Sequence, residues 1–238
     1  MLASKYEVVA LRLGDVGLRP YPPLNQKESN KLGNILKSAS RKRWLKRIAS
    51  GSFATVFKIK NCANLLNVIM DMADNESLKV TLENTAVRIL KRTLTKKVRF
   101  LELEALDRAL KLPCHLNVLR EQKLGPGISI SRLYNESLKS CIDVKLRMYP
   151  SRRIALEYVL SALTSAVTHM HNHNLGHFDI KPANILIKWV VRGYFIKGIN
   201  VVLADFGLNK AFQNGKNTIH YCFHHDQTHI ITFTQTFR

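Results

Sequence analysis

Apolar and polar positions change rhythm several times along this chain. Ser52–Ile59 sets small or polar residues between Phe53, Val56, Phe57 and Ile59, which predicts two short strands around a turn. Thr85–Leu112 repeats apolar residues every three or four positions (Val87, Leu90, Leu94, Val98, Leu101, Ala105, Ala109), which predicts a helix that Pro113 stops. Leu116–Leu124 and Ile128–Leu133 read as strands around the turn-forming Gly125-Pro126-Gly127. Ser151 suits the N-cap of a second helix whose buried stripe is Ile154, Tyr158, Leu163, Val167 and Met170. Two short strands then flank Arg192-Gly193, and Val201–Ala204 is an apolar strand. Strands with one helix among them, followed by a helix leading into hairpins, describe an α+β plan with two lobes.

The chain has 238 residues, of which 46% are apolar, enough to build a core and too many for a disordered tail. No run approaches the roughly 18 apolar residues of a membrane span, and Met1–Pro20 is interrupted by Lys5, Glu7, Arg12 and Asp15. Membrane insertion and secretion are therefore not expected. Cys62, Cys114, Cys141 and Cys222 form no CxxC pair, so neither a disulfide framework nor a zinc knuckle is indicated, which suits a reducing intracellular compartment.

The net charge of +20 calls for an acidic partner or describes a solvated basic surface. Residues 1–47 read as a basic leader, partly disordered, with Pro20, Pro22 and Pro23 breaking regular structure. Lys37, Arg41, Lys42, Arg43, Lys46 and Arg47 then cluster without an acid. Such a cluster fits a nuclear-import signal, a nucleic-acid contact or an exposed polar linker.

The most informative stretch is His177-Phe178-Asp179-Ile180-Lys181-Pro182-Ala183-Asn184, followed by Asp205-Phe206-Gly207. It resembles the catalytic loop H-R-D-L-x-x-x-N and the metal-binding D-F-G of eukaryotic-type protein kinases. That resemblance implies a bilobal kinase-like fold with a small β-rich N-lobe, ATP and Mg2+ as cofactors, and a protein substrate. It makes Asp179 the base that takes the substrate hydroxyl's proton, and Asn184 and Asp205 the metal ligands. Lys181 would contact the transferred phosphate, and lysine there looks like the serine/threonine-specific branch. Gly207 would supply backbone freedom beside Asp205. His169, His171 and His173 fall at the family's helix end before the loop and need no metal in this reading.

Upstream, Ala49, Gly51, Phe53 and Val56 align with the family's glycine-rich loop G-x-G-x-F-G-x-V, with alanine at the first and third glycine places. Ser77-Leu78-Lys79-Val80 resembles A-x-K-V, which makes Lys79 the phosphate-anchoring lysine. Glu102-Leu103-Glu104-Ala105-Leu106 looks like E-x-x-x-L, which makes Glu102 its ion-pair partner, and His115-Leu116-Asn117-Val118 resembles the H-P-N-I that commonly follows.

The chain also departs from the family. Phe178 stands where most relatives carry an arginine that reads an activation-segment phosphate, so activity independent of that phosphate is expected. Only 31 residues follow Gly207, and none form A-P-E. The expectation is a C-terminally truncated kinase: an N-lobe at 48–135, a partial, incompletely helical C-lobe at 136–208, and an irregular tail at 209–238. A metal site at Cys222, His224, His225 and His229 does not match a standard zinc spacing.

Four functions therefore stand side by side: a serine/threonine protein kinase, a catalytically impaired scaffold that still binds nucleotide, a small-molecule phosphotransferase with a related loop, and a basic nucleic-acid binder. Within the kinase reading, the divergent loops and basic leader look like the kinases of large DNA viruses, the herpesvirus type especially. Nuclear or cytoplasmic residence follows, in the host nucleus if viral.

Overall fold

The structure is a computed structural model that describes residues 25–42, 44–60, 84–142, 152–192 and 195–211. The expected lysine Lys79, the N-cap Ser151 and the cysteine- and histidine-bearing tail beyond residue 211 lie outside them.

The first layer is a five-stranded antiparallel sheet in the order β1 (Leu45–Ser50), β2 (Ala54–Ile59), β3 (Thr85–Leu90), β5 (Ile128–Arg132) and β4 (Glu121–Gly125). Pro126 and Gly127 join β4 to β5, and Gly127 takes φ +72°, a left-handed turn position that suits glycine.

Here the expected helix over Thr85–Leu112 divides in two. Its first six residues are β3, paired on both edges, with Thr85, Val87 and Ile89 supplying β-branched side chains. A central strand buried on both faces reads as a continuous apolar run, which helical spacing imitates. The helix α2 starts only at Lys96 and runs to Lys111; its N-cap Thr95 accepts from the Val98 N–H. The expected strand at 116–124 likewise begins only at Glu121, because residues 117 and 119 bond Leu203 instead of a sheet neighbour.

The expected leader is structured in part. Gln26–Arg41 form helix α1, closed by a capping box between Asn25 and Glu28. Leu32, Leu36 and Ala39 enter one core with Leu45, Ile59, Val87, Leu124, Ile128 and Ile130. Gly33 permits this docking, since a Cβ there would stand 2.7 Å from the Leu124 carbonyl oxygen. The basic residues of α1 are thus the solvent side of an amphipathic helix whose apolar stripe the charge count obscures.

The second layer is built on α4 (Arg152–Asn172), which follows β6 (Glu136–Ser137) and the single-turn α3 (Leu138–Cys141). Its buried face is Ala155, Val159, Ala162, Ala166 and Met170, flanked by Tyr158, Leu163 and Val167. The expected stripe is therefore rotated: small alanines make the close contacts, while Ile154 is exposed. Against this face lie β8 (Ile185–Arg192) and β9 (Phe195–Leu203), a hairpin longer than expected, with β6 on its edge. A short pair, β7 (Leu175–Gly176) with β10 (Lys210–Ala211), ties the end of α4 to the segment after β9. No helix among the described residues is long and apolar enough to cross a membrane. The two layers give the α+β, two-lobed architecture expected.

Candidate active site

The chain enters β7 through left-handed backbone at Asn174 (φ 56°) and leaves it toward the loop 177–184 through left-handed backbone at Phe178 (φ 62°). His177 is buried and fixes the loop from beneath. Its Nδ1 accepts from the Asp179 N–H at 3.2 Å, its Nε2 donates to the Ala204 carbonyl at 3.0 Å, and its ring meets Phe206 edge-on at 5.2 Å. That pairing assigns the neutral Nε2–H tautomer.

Asp179 is held from two sides. Lys181 Nζ donates to its Oδ2 at 2.7 Å, and Asn184 Nδ2 donates to the same oxygen at 2.8 Å and to the Asp179 carbonyl at 2.9 Å. Pro182–Asn184 form a 3-10 turn, which brings Asn184 back under Asp179. The Ala204 N–H donates to the Asn184 carbonyl at 2.8 Å, so the residue before Asp205 is stitched to the residue that braces Asp179. Asp205 itself is half-exposed with φ 66°. The structure thus joins Asp179, Lys181 and Asn184 by side-chain bonds and sets Asp205 one residue from the backbone rung between Asn184 and Ala204.

Arg88 on β3 makes an ion pair with Glu102, at 2.7 Å, and its guanidinium also stands 4.0 Å from Asp205; Lys79, the expected partner of Glu102, lies outside the described residues. In the register, Arg88 lies directly across from Val56 of the glycine-rich loop. Ala86-Val87-Arg88 matches A-x-K in spacing, with arginine in place of lysine, and the alanine two residues earlier is the sequence signal for this cation.

Burial works to lower the Arg88 guanidinium, but Glu121, Asp205 and Glu102 outweigh it and hold it above its ordinary value. Burial pushes Glu102 the other way, above the usual carboxyl range, against the pull of Arg88. Arginine keeps its proton, so the desolvation cost of the pair falls on the glutamate side. Glu121, also buried, accepts from Ser129 Oγ.

Gly207 takes no left-handed backbone, against the expected need for freedom beside Asp205; a Cβ there would come within 2.5 Å of Glu102 Oε1, so the end of that side chain would have to shift.

In the glycine-rich loop, the Gly51 N–H closes the turn onto the Ala54 carbonyl at 2.9 Å. The Phe53 carbonyl accepts from the Lys91 N–H at 2.9 Å, and Ala49 sits at a bulge opposite Val56. A Cβ at Gly51 would meet the Ala54 carbonyl oxygen at 3.9 Å, an ordinary contact.

The donor set suits a hard cation shared with a ligand. Asn184 spends its Nδ2 on Asp179, leaving Oδ1 as acceptor, and Asp205 offers an accessible carboxylate. Among the described residues no group of three or more His, Cys, Asp or Glu could hold a metal unaided. Mg2+ bound by one or two side-chain oxygens plus substrate phosphates needs no more.

His177 makes the site's stability pH-dependent. Burial holds its pKa below 6.5, so the folded state keeps it neutral while the unfolded chain takes up a proton. The stabilisation is complete above pH 6.5 and is lost as pH falls from there toward the lowered value. Melting temperature is expected to drop between pH 7.5 and about 5.5, and less steeply in His177→Gln. Parallel curves for the two proteins would remove His177 as the origin.

A family model for the protein kinase domain matches residues 43–228. Over 145 residues the chain is 31% identical to the serine/threonine-protein kinase/endoribonuclease ire-1 of Caenorhabditis elegans, covering 55% of this chain and 13% of that protein. Cyclin-dependent kinase 7 of Carassius auratus is 29% identical over 166 residues, 69% of this chain and 42% of that protein. The sporulation protein kinase mde3 of Schizosaccharomyces pombe is 26% identical over 170 residues, 68% and 28% respectively. The chain thus spans less than half the length of each of these relatives. None of them supports the expected likeness to kinases of large DNA viruses. With the fold, the catalytic-loop residues and the family match in agreement, the chain belongs to the eukaryotic-type protein kinases.

Proposed function

We propose that the chain binds Mg-ATP and transfers its γ-phosphate to a serine or threonine hydroxyl of a protein. The observation that carries this reading is the Asp179 carboxylate, braced by Lys181 and Asn184 and stitched through Ala204 to Asp205. Asp179 takes the hydroxyl proton, and Lys181 meets the transferred phosphate. Asn184 and Asp205 would hold Mg2+, which supplies neutralising charge on the phosphates. Arg88, oriented by Glu102, takes the anchoring position facing the α- and β-phosphates in place of Lys79. The glycine-rich turn at Ala49, Gly51, Phe53 and Val56 covers them. In this reading the small lobe runs from α1 to β5, the substrates are intracellular proteins, and the exposed lysines of α1 face acidic partners. The test is transfer of labelled phosphate from ATP to a generic basic protein, with Mg2+ and with chelator. Transfer that ignores the chelator, or goes only to small molecules, rejects the proposal.

A second reading, a nucleotide-binding domain with impaired transfer, is favoured by Arg88. A guanidinium is a planar fork and not a point charge, and here it reaches both Glu102 and Asp205. Thermal stabilisation by Mg-ATP without transfer would select it.

Phe178 cannot read a phosphate, so phosphatase treatment is expected to leave transfer unchanged. A loss of most activity after dephosphorylation would contradict this.

A further inference from the structure

One buried amide joins α2 to the segment after Phe206, and the phosphoryl-transfer reading makes no use of it. Asn209 is 1% exposed and every polar group of its side chain is engaged. Its Oδ1 accepts from Arg108 Nε at 3.0 Å, its carbonyl accepts from Arg108 Nη2 at 2.9 Å, and its Nδ2 donates to the Ala105 carbonyl at 2.7 Å. Its own N–H donates to the Phe206 carbonyl at 3.1 Å. Arg108 completes its fork by pairing Nη1 with Glu104 at 3.1 Å, one helical turn back.

We propose that Asn209 and Arg108 form a latch that positions α2, and through it Glu102 and Arg88, against Asp205. Asn209 is thus a positioning residue of the ATP site described above, and the proposal rests on that site being one. Glu102, Ala105 and Arg108 recur every three residues and share one helix face. Gly207 admits Glu102 at one turn of that face, and Asn209 bolts the next turn.

Two features give the latch its weight. First, α2 buries little apolar surface: Ala105 and Leu106 are its only buried apolar residues, while Phe100 and Leu101 are exposed. Nonspecific packing therefore does not fix how the helix is rotated, and directional bonds must. Second, the bonds are geometrically exacting. Turning the helix by one residue swings a side chain through about 100° and separates all three of them. The planar guanidinium, which bonds the side-chain and main-chain oxygens of one residue at once, cannot be copied by lysine.

The test uses the full chain and two readouts. Hydrogen exchange followed without nucleotide is expected to accelerate roughly tenfold in α2 and in 205–211 on Asn209→Ala, with α4 unchanged. Arg108→Lys, which keeps the charge and serves if Asn209→Ala does not fold, should act in the same direction. The double variant should be no faster than the faster single. Exchange unchanged in α2, or raised equally in α4, overturns the latch.

The second readout is steady-state transfer from ATP. Asn209→Ala is expected to lower kcat about tenfold with the KM for protein substrate unchanged, and to cost nothing further in a Glu102→Gln background. Equal losses in both backgrounds overturn the positioning role. A wild-type chain that neither binds nor transfers from ATP refutes the proposed function, and the exchange result then decides the latch by itself.

Discussion

Replacing Asp179 by Asn is expected to slow phosphate transfer by roughly 10²- to 10⁴-fold, the range a positioned general base contributes. Asparagine keeps the shape and still accepts one hydrogen bond, so the 3-10 turn at Pro182–Asn184 and the His177 bond to the Asp179 N–H remain. What disappears is the charge that draws the hydroxyl proton and holds Lys181 Nζ at 2.7 Å. Lys181 is half-exposed, so water replaces its partner and the fold loses little. The variant should melt near the wild-type temperature and still be stabilised by Mg-ATP. Initial-rate assays at saturating ATP give the measurement, and undiminished transfer in Asp179→Asn would take the base away from this residue.

Glu102→Ala should have the largest effect on stability. It leaves the Arg88 guanidinium, 16% exposed, without the carboxylate 2.7 Å away, and breaking one side of a buried pair costs about 3–5 kcal/mol. Asp205, 4.0 Å from the same guanidinium and reachable by solvent, recaptures part of that charge, which puts the expectation near the lower end, about 3 kcal/mol. For a chain of this size that corresponds to a fall in melting temperature of roughly 6–12 °C. Removing both charges together, as Glu102→Leu with Arg88→Met, should destabilise less than the single change, because the guanidinium is no longer left beside the site of its missing carboxylate. A double variant as unstable as Glu102→Ala would mean that packing, not charge, governs this position.

The loop residues that the proposed phosphoryl transfer would use were legible because that chemistry would demand particular atoms at fixed separations on short loops. Asp179, Lys181, Asn184 and Asp205 fall in two short windows, and local geometry alone brings three of them together. Elements longer than a loop were read less well. The β3 strand imitates a helix because both its faces are covered by neighbours far off in sequence. The charge-rich helix α1 was taken for leader because its apolar stripe has meaning only once β4 lies beneath Gly33.

The cation paired with Glu102 shows the same limit most sharply. Nothing local says that Arg88 pairs with Glu102 fourteen residues on, or that Asn209 reaches Arg108 from a hundred residues away. Register across β2 and β3 sets Arg88 opposite Val56, and only the docking of α2 onto the Gly207 segment makes the pair.

By itself, then, the order of residues determined the family, the two-lobed plan and the carboxylates and amide of the catalytic loop, because each depends on short-range spacing. The packed chain decided that Arg88 pairs with Glu102, that the Glu102 carboxylate closes on Gly207, and that Asn209 bonds Arg108 and Ala105 of α2. Those outcomes depend on which distant surfaces meet, and burial charges a cost for every polar group that arrives there without a partner.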